Sequence, residues 1–165
     1  MTDTAIIDVL LGTYKTLAGR PAWVLDERGT VAKLAVPVLQ NGVVAGLTLQ
    51  AHATVQTNPQ RGGCVLILEG RPIQRLSFRP DHLHVNPLVK TIPRSLRGLR
   101  LPANASRFHA WTLNREWPRR ALDKVAVAEP VEPEPDSFLD ALTIFLHHCG
   151  IEGALPPPPW EPRLL

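Results

Sequence analysis

The stretch VAKLAVPVLQNGVVAGLTLQAHATV, residues 31–55, predicts the core of the fold. The dipeptide Asn41-Gly42 lies between two apolar runs, and these residue types readily adopt the positive φ angles of a two-residue hairpin turn. From residue 43 to 55 apolar and polar residues alternate, which indicates a long strand with one buried face. Pro37 indicates that its strand is an edge strand or carries a bulge. We therefore expect a long β-hairpin here.

Further strands are predicted on both sides of this hairpin. AWVL (22–25) precedes it, and the loop TNPQRGG (57–63) separates it from a second hairpin, CVLILEG (64–70) with IQRLSF (73–78). These connections are too short for crossover helices, so the strands should form an antiparallel meander. FHAWTL (108–113) predicts a later strand.

A helix is predicted near each end of the chain. Residues 4–18 have apolar residues at three-four spacing, typical of an amphipathic helix, with Tyr14 at the edge of the core. A second helix should be capped by Asp136 or Ser137 and end at Gly150, and Ser137 and Asp140 have the pattern of a capping box. We expect an α+β domain with a twisted antiparallel sheet of about five to seven strands, flanked by an N-terminal and a C-terminal helix.

The remaining segments suggest how the chain is divided. Residues 80–105 contain several prolines and basic residues and predict a long ordered loop, which is typical of functional segments. EPVEPEP (129–135) predicts an extended acidic spacer. We expect one domain over residues 1–151 and a proline-rich tail over 152–165, which either lies on the surface as a strap or binds a protein partner.

Charge is distributed unevenly along the 165 residues, whose formal net charge is +3. Residues 61–124 hold 13 basic and four acidic residues, a balance of +9, and the rest of the chain balances at −6. A basic middle between acidic ends predicts a positively charged face, as in proteins that bind RNA or single-stranded DNA. The alternative is that the arginines are scattered over the surface.

The compartment is predicted from what the sequence lacks. Cys64 and Cys149 have no CxxC spacing, so we interpret both as buried free thiols. The N-terminus is acidic where a signal peptide is basic, and no apolar segment reaches membrane-spanning length. We expect a soluble cytoplasmic protein without membrane association.

Two histidines one residue apart raise a metal hypothesis. On a strand, His82 and His84 would face the same side, an arrangement that can hold a divalent metal. The same pattern is found in nucleases with a His-hydrophobic-His core, for which Tyr14 would be the only nucleophile. The alternative is two histidines in a surface loop, and in that case no cofactor is expected.

A second group of motifs resembles a family of small uncharacterised bacterial and phage-borne proteins. That family has an RLDL strand, a His-x-Asn-Pro-Asp-Gly turn, a His-hydrophobic-His-hydrophobic-aromatic strand, a Trp, and a helix ending in aromatic-Cys-Asn-Ile. The chain shows, over residues 65–151, RLSF (75–78), HVNP (84–87), RFHAW (107–111), Trp117 and FLHHCGI (145–151). It departs at Leu88-Val89, which replace Asp-Gly, and at Arg107, which replaces the first histidine.

The resemblance implies that His84, Asn86 and His109 form a clustered polar site. Two histidines that titrate near pH 7 could cleave RNA without a metal, one as base on the 2′-hydroxyl and the other as acid on the leaving oxygen. An arginine would stabilise the phosphorane, and the candidates are Arg75, Arg79 and Arg107. The alternative is that the histidines are structural and join the long loop to the sheet.

The segment RSLRGLR (94–100) is a candidate for phosphate contacts. Arg94, Arg97 and Arg100 lie on a proline-bounded turn, and Trp111 and Trp117 could stack on bases.

Three functions remain open from the sequence. The first is a mobile-element or defence-locus protein that acts on nucleic acid or with a nucleic-acid-processing complex, with His84, His109, Asn86 and Arg107 as catalytic residues if it is a ribonuclease. The second is a non-enzymatic inhibitor of a host nucleic-acid machine, or the antitoxin of a toxin–antitoxin pair. The third is a metal-dependent nuclease that uses His82 and His84.

Overall fold

The hairpin predicted around Asn41 is the centre of the fold. In the computed structural model, which describes residues 4–55, 59–116 and 125–159, it consists of β3 (Val31–Gln40) and β4 (Val43–Thr54). The φ angles are 50° at Asn41 and 78° at Gly42, as the two-residue turn requires. The register shifts between Val38 and Leu39, next to Pro37. The predicted hairpin is confirmed.

The other strands extend this hairpin into a nine-stranded sheet. Their bounds are β1 Lys15–Leu17, β2 Val24–Leu25, β5 Arg61–Leu68, β6 Arg71–Phe78, β7 His84–Val85, β8 Arg100–Leu101, β9 Arg107–His109, β10 Glu129–Pro130 and β11 Ile151–Glu152. Along the main path the strand order is β10-β9-β6-β5-β4-β3-β1-β11, and β2 also pairs with β3. Strands β7 and β8 pair in a separate two-stranded sheet. Every pairing is antiparallel except that of β1 with β11.

The described residues also form three α-helices and one 3₁₀ turn. They are α1 Thr4–Gly12, the turn Arg94–Leu96, α2 Trp111–Asn114 and α3 Phe138–His148. The fold is therefore α+β, with a mostly antiparallel sheet and a helix near each end, as predicted. The strands outnumber the expected five to seven because segments of two or three residues are too short to show a period-two pattern.

Helix α3 covers one face of the sheet. Its capping box is present, with Ser137 and Asp140 each bonded to the other's backbone N–H. The ring of Phe138 packs 5.6 Å from that of Phe78, and the ring of Phe145 packs 6.0 Å from that of Phe108. Both cysteines are free and buried, as predicted.

Strand β5 begins earlier than predicted, because Arg61, Gly62 and Gly63 belong to it rather than to the preceding loop. A Cβ on Gly62 would lie 2.7 Å from ring atoms of Phe138. Gly62 therefore lets α3 approach the sheet, a reason for glycine within a strand that the sequence pattern does not reveal.

The N-terminal helix ends at Gly12 instead of continuing to residue 18. Lys15 is 0% exposed, and its ammonium group donates to the carbonyls of Leu10 (2.7 Å) and Leu11 (3.1 Å) in the last turn of α1. The following residues form β1, because pairing with β3 and β11 outweighs their helical pattern. The expectation for Tyr14 was also wrong, because its side chain is 56% exposed and its hydroxyl bonds to Glu152.

The predicted strand 108–113 is a strand only to His109. Trp111 begins α2, is 5% exposed, and donates from Nε1 to Asp8 at 2.8 Å. Burial of the indole in the hydrophobic core overrides the strand propensity of these residues.

The proline-rich tail packs against the domain as far as it is described. Trp23 Nε1 donates to the carbonyl of Pro156 at 2.9 Å, and Leu155 is 6% exposed. The predicted boundary after residue 151 falls within β11, and residues 160–165 lie outside the described part of the chain. No helix within the described ranges has the length and apolar character needed to cross a membrane.

The Gly62–Phe138 contact predicts a loss of stability in Gly62→Ala. The added methyl group has to displace a buried ring, so we expect the free energy of unfolding to fall by about 1–3 kcal/mol. Urea denaturation measures this change. Gly12→Ala is the matched control, because a Cβ there meets nothing within 4 Å. Equal stability of both variants and the wild type would contradict the packing role of Gly62.

Candidate functional site

The face of the sheet opposite α3 carries the polar residues. On β9, Phe108 packs beneath α3, so the alternating residues Arg107 and His109 point to the other face. Arg107 is opposite Ser77 in register, and His109 is opposite Arg75. We call this side, away from α3, the open face. Residues 80–106 and 125–128 cover its β9 end.

His109 is completely buried there. Its side chain is 0% exposed, Nε2 lies 3.0 Å from Arg75 Nη2, and Nδ1 lies 2.6 Å from the carbonyl of Val125. Because a guanidinium can only donate, Nε2 accepts and the ring proton on Nδ1 is donated to Val125. Burial first, and then the charge of Arg75, lower the pKa of His109 to about 2. The expectation that His109 titrates near pH 7 is therefore wrong.

His84 and Asn86 lie beside it. The rings of His84 and His109 are 5.2 Å apart and nearly perpendicular. His84 Nε2 lies 3.0 Å from Asn86 Oδ1, which also accepts from the backbone N–H of Ala128 at 2.8 Å. Burial lowers the pKa of His84, and the bond to Asn86 opposes that shift. The structure thus brings the predicted cluster together: His84 and Asn86 are bonded to each other, and His109 packs against His84 while its nitrogens bond to Arg75 and Val125.

Two asparagines hold the returning segment 125–128 in place. Asn86 donates to the carbonyl of Ala128 as well as accepting from its N–H, and Asn114 pairs in the same two-point way with Val127. Both asparagines are buried. The two side-chain amides bond to backbone groups that a neighbouring strand would satisfy in a sheet. This supports a structural role for Asn86 in the cluster.

Arg107 lies at the start of a hydrogen-bonded chain. Its Nη2 is 2.8 Å from His82 Nε2, and His82 Nδ1 is 3.0 Å from Asp81 Oδ1. Since arginine only donates, His82 carries its proton on Nδ1 and donates it to Asp81. Arg107 is 1% exposed, whereas the side chains of His82 and Asp81 are 68% and 74% exposed. The chain therefore runs from a buried cation to the surface.

A cavity of about 330 Å³ opens on the same face. Its floor is Gly63, where a Cβ would lie 2.9 Å from the ring of His52 and 3.1 Å from a backbone oxygen. His52, Gly63, Ser77 and Arg107 follow one another in register across four strands, so the missing side chain at Gly63 makes room for the His52 ring, beside which the cavity opens. We call this cavity the Gly63 pocket. The residues that line it and carry polar side chains include His52, Arg61, Arg75, Ser77, Asp81 and His82.

The metal hypothesis receives little support from this geometry. His82 bonds to Asp81 and Arg107, whereas His84 bonds to Asn86. Within the residues that the structure describes, no three His, Cys, Asp or Glu side chains are grouped so that they could hold a metal ion. The Tyr14 hydroxyl bonds to Glu152, whereas His82 bonds to Asp81 and Arg107, so the proposed nucleophile is engaged with a different part of the fold.

The predicted phosphate-binding arginines have different environments. Arg94 and Arg100 are exposed, but Arg97 donates to the carbonyls of Ile92 (3.0 Å) and Lys90 (2.8 Å) and so holds its own loop. Arg79 donates to the carbonyls of Pro135 and Asp136 at the start of α3.

The two tryptophans that were predicted to stack on bases, Trp111 and Trp117, have different outcomes. Trp111 is buried and bonded to Asp8, so it cannot stack on a base, and the expectation for it is wrong. Trp117 lies outside the described residues.

Sequence reasoning missed His52, Arg61 and Ser77. The signal for His52 was present, because it lies on the polar side of a strand with period-two alternation. Its position opposite Gly63 depends on strand register, which no local pattern of this chain specifies.

No protein-family model, curated protein or solved structure matches this chain. The resemblance to the family with the His-x-Asn-Pro turn therefore stays a prediction.

The burial of His109 predicts a pH dependence of stability. The unfolded chain binds a proton at His109 near pH 6.5, whereas the folded protein does so only at about pH 2. Unfolding therefore takes up a proton below pH 6.5, and this one group lowers the free energy of unfolding by about 1.4 kcal/mol for each pH unit of acidification.

Chemical denaturation of wild type and His109→Gln at several pH values measures this effect. The variant should show a slope that is smaller by about this amount between pH 6 and 5, and the same slope as wild type above pH 8, where neither form of His109 titrates. Parallel curves throughout would show that His109 is not held neutral.

Proposed function

We propose that the protein binds single-stranded nucleic acid through the open face of its sheet and the loop that covers it. The observation that carries this proposal is a separation of charge across the sheet. Residues 80–106, which cover the open face, contain four basic residues and one acidic residue. Residues 129–140, which lead from the sheet edge into α3, contain five acidic residues and no basic one.

The strands add to the basic side. Arg61 and Arg75 both line the cavity on the open face, so they add positive charge to that of the covering loop. A surface of this kind attracts the phosphates of a nucleic acid and releases their counterions.

The arrangement favours phosphate contacts over base recognition. Because Trp111 is buried, base stacking on it cannot contribute. Exposed arginines on a short loop, Arg94 and Arg100, suit a flexible backbone better than a duplex groove, into which a helix or a two-stranded ribbon is usually placed. We therefore expect weak sequence preference and strong salt dependence.

Binding without cleavage is the form of the proposal that the histidine geometry supports. A general acid or base has to reach the substrate, and His109 is 0% exposed with both nitrogens bonded within the protein. With a pKa of about 2 it is a neutral imidazole near neutral pH, and its one ring proton is donated to the carbonyl of Val125, so it is not the imidazolium that a general acid needs.

The exposed loop arginines provide the test of nucleic-acid binding. Affinity for a short single-stranded RNA or DNA should fall steeply with salt. In Arg94→Ala/Arg100→Ala it should be weaker at low salt, and the slope of log affinity against log salt should be smaller by about 1.4, which is about 0.7 for each lost phosphate contact. Fluorescence anisotropy at several salt concentrations measures both.

The matched control is Arg20→Ala/Arg28→Ala, which removes the same charge from two exposed positions before β3, outside the covering loop. This variant should keep the wild-type slope. If the wild type does not bind at low salt, the proposed function is refuted, and a protein-binding role becomes the better hypothesis.

The ribonuclease hypothesis is tested separately. We expect a labelled RNA to stay intact with wild-type protein in EDTA from pH 5 to 8, because His109 cannot exchange a proton with a bound strand. Gel analysis of the RNA gives the result. Cleavage that is lost in both His84→Ala and His109→Ala, with melting temperatures unchanged, would show that the pair is catalytic.

A further inference from the structure

Two guanidinium groups beside the Gly63 pocket lack a balancing charge, that of Arg107, which is fully buried, and that of Arg75, which is partly buried. Within the described residues, no carboxylate lies within ion-pair distance of Arg75 or Arg107. The Nε atoms of both are buried and have no hydrogen-bond partner. A buried charge without a partner is unfavourable, so these two arginines require a reason beyond folding.

The two arginines also interact unfavourably with each other. Burial lowers the pKa of Arg107 first, and the nearby charge of Arg75 lowers it further. Their remaining partners are histidines, since Arg75 bonds to His109 and Arg107 to His82. A neutral imidazole satisfies one N–H group but offsets no charge.

The pocket gives an anion direct access to Arg75 and Ser77, which line it. Arg107 does not line the pocket, but it is opposite Ser77 in register and bonds to His82, so its charge lies in the adjoining strand. On the other side of Gly63, the cavity is bounded by His52.

Asp81, at the mouth of the Gly63 pocket, does not balance the charge of the two arginines. The side chain of Asp81 is 74% exposed and accepts from His82, and its nearest approach to Arg61 is 3.9 Å. A solvated carboxylate in this position orients His82 but leaves the two guanidinium groups uncompensated.

We propose that the Gly63 pocket binds a phosphate monoester, the terminal phosphate of a nucleic-acid strand that lies on the open face. The inference rests on the proposed function for the source of the phosphate. A monoester carries nearly two negative charges near neutral pH, matching the two arginines, whereas a backbone diester carries one. Its oxygens can accept from guanidinium N–H groups and from Ser77.

The test compares two oligonucleotides of one sequence, with a 5′-phosphate or a 5′-hydroxyl, and inorganic phosphate as a third probe. The phosphorylated strand should bind about tenfold or more tightly, as expected for one or two charge-assisted hydrogen bonds. Inorganic phosphate should remove this advantage by competition, and it should raise the melting temperature of the free protein.

Arg75→Gln should abolish the preference for the phosphorylated strand. Arg71→Gln, on the same strand but outside the residues that line the pocket, should keep it. If Arg75→Gln does not fold, NMR shifts of wild-type His52 and Ser77 on adding phosphate decide whether the pocket is occupied. Equal binding of both strands, with no effect of phosphate on the wild type, would overturn the inference and leave the proposed function standing.

The experiment also recognises the case in which the pocket binds phosphate but the protein does not bind nucleic acid. If neither strand binds but inorganic phosphate still raises the melting temperature and shifts His52 and Ser77, the pocket binds phosphate from another source, such as a free nucleotide. The monoester site would then stand, while nucleic-acid binding and the terminal phosphate of a strand as its source would be refuted.

Discussion

Polar groups that are buried on the open face of the sheet must find partners, and this requirement shapes the β9 half of the molecule. His109 needs an acceptor and finds it at Val125, while Asn86 and Asn114 supply paired bonds to residues 127 and 128. The covering loop and the returning segment are thus held by side-chain amides and an imidazole instead of a strand ladder. Each of these bonds avoids the free-energy cost of an unsatisfied buried group.

The same requirement separates a structural part of the polar cluster from a candidate binding part. The structural part consists of His84, Asn86 and His109. His84 bonds to Asn86, and Asn86 and His109 bond to backbone atoms of the covering segments, so these side chains connect the loop to the sheet. Arg75 and Arg107 keep unpartnered Nε atoms and uncompensated charge, and they lie on the side of the cluster next to the Gly63 pocket. Residues that are neighbours in the sequence motif therefore differ in what remains available to a ligand.

Strand β5 contains two consecutive glycines, Gly62 and Gly63, whose positions face opposite sides of the sheet. Gly62 leaves room for the ring of Phe138 on one face of the sheet, and Gly63 leaves room for the ring of His52 beside the pocket on the other face. The alternating direction of side chains along a strand places two consecutive glycines on opposite faces, one serving the core and the other the candidate site. Read as sequence, the same pair indicated only a loop.

The sequence by itself determined the central hairpin, the meander around it and the capped helix α3, because turn residues, period-two alternation and capping boxes are local signals. It also indicated His84, Asn86, Arg107 and His109 as residues that lie together. Only the tertiary structure decided that Lys15 ends α1, that Trp111 is buried and that His52 faces Gly63. These outcomes depend on burial and strand register between distant segments, which no local pattern of residues specifies.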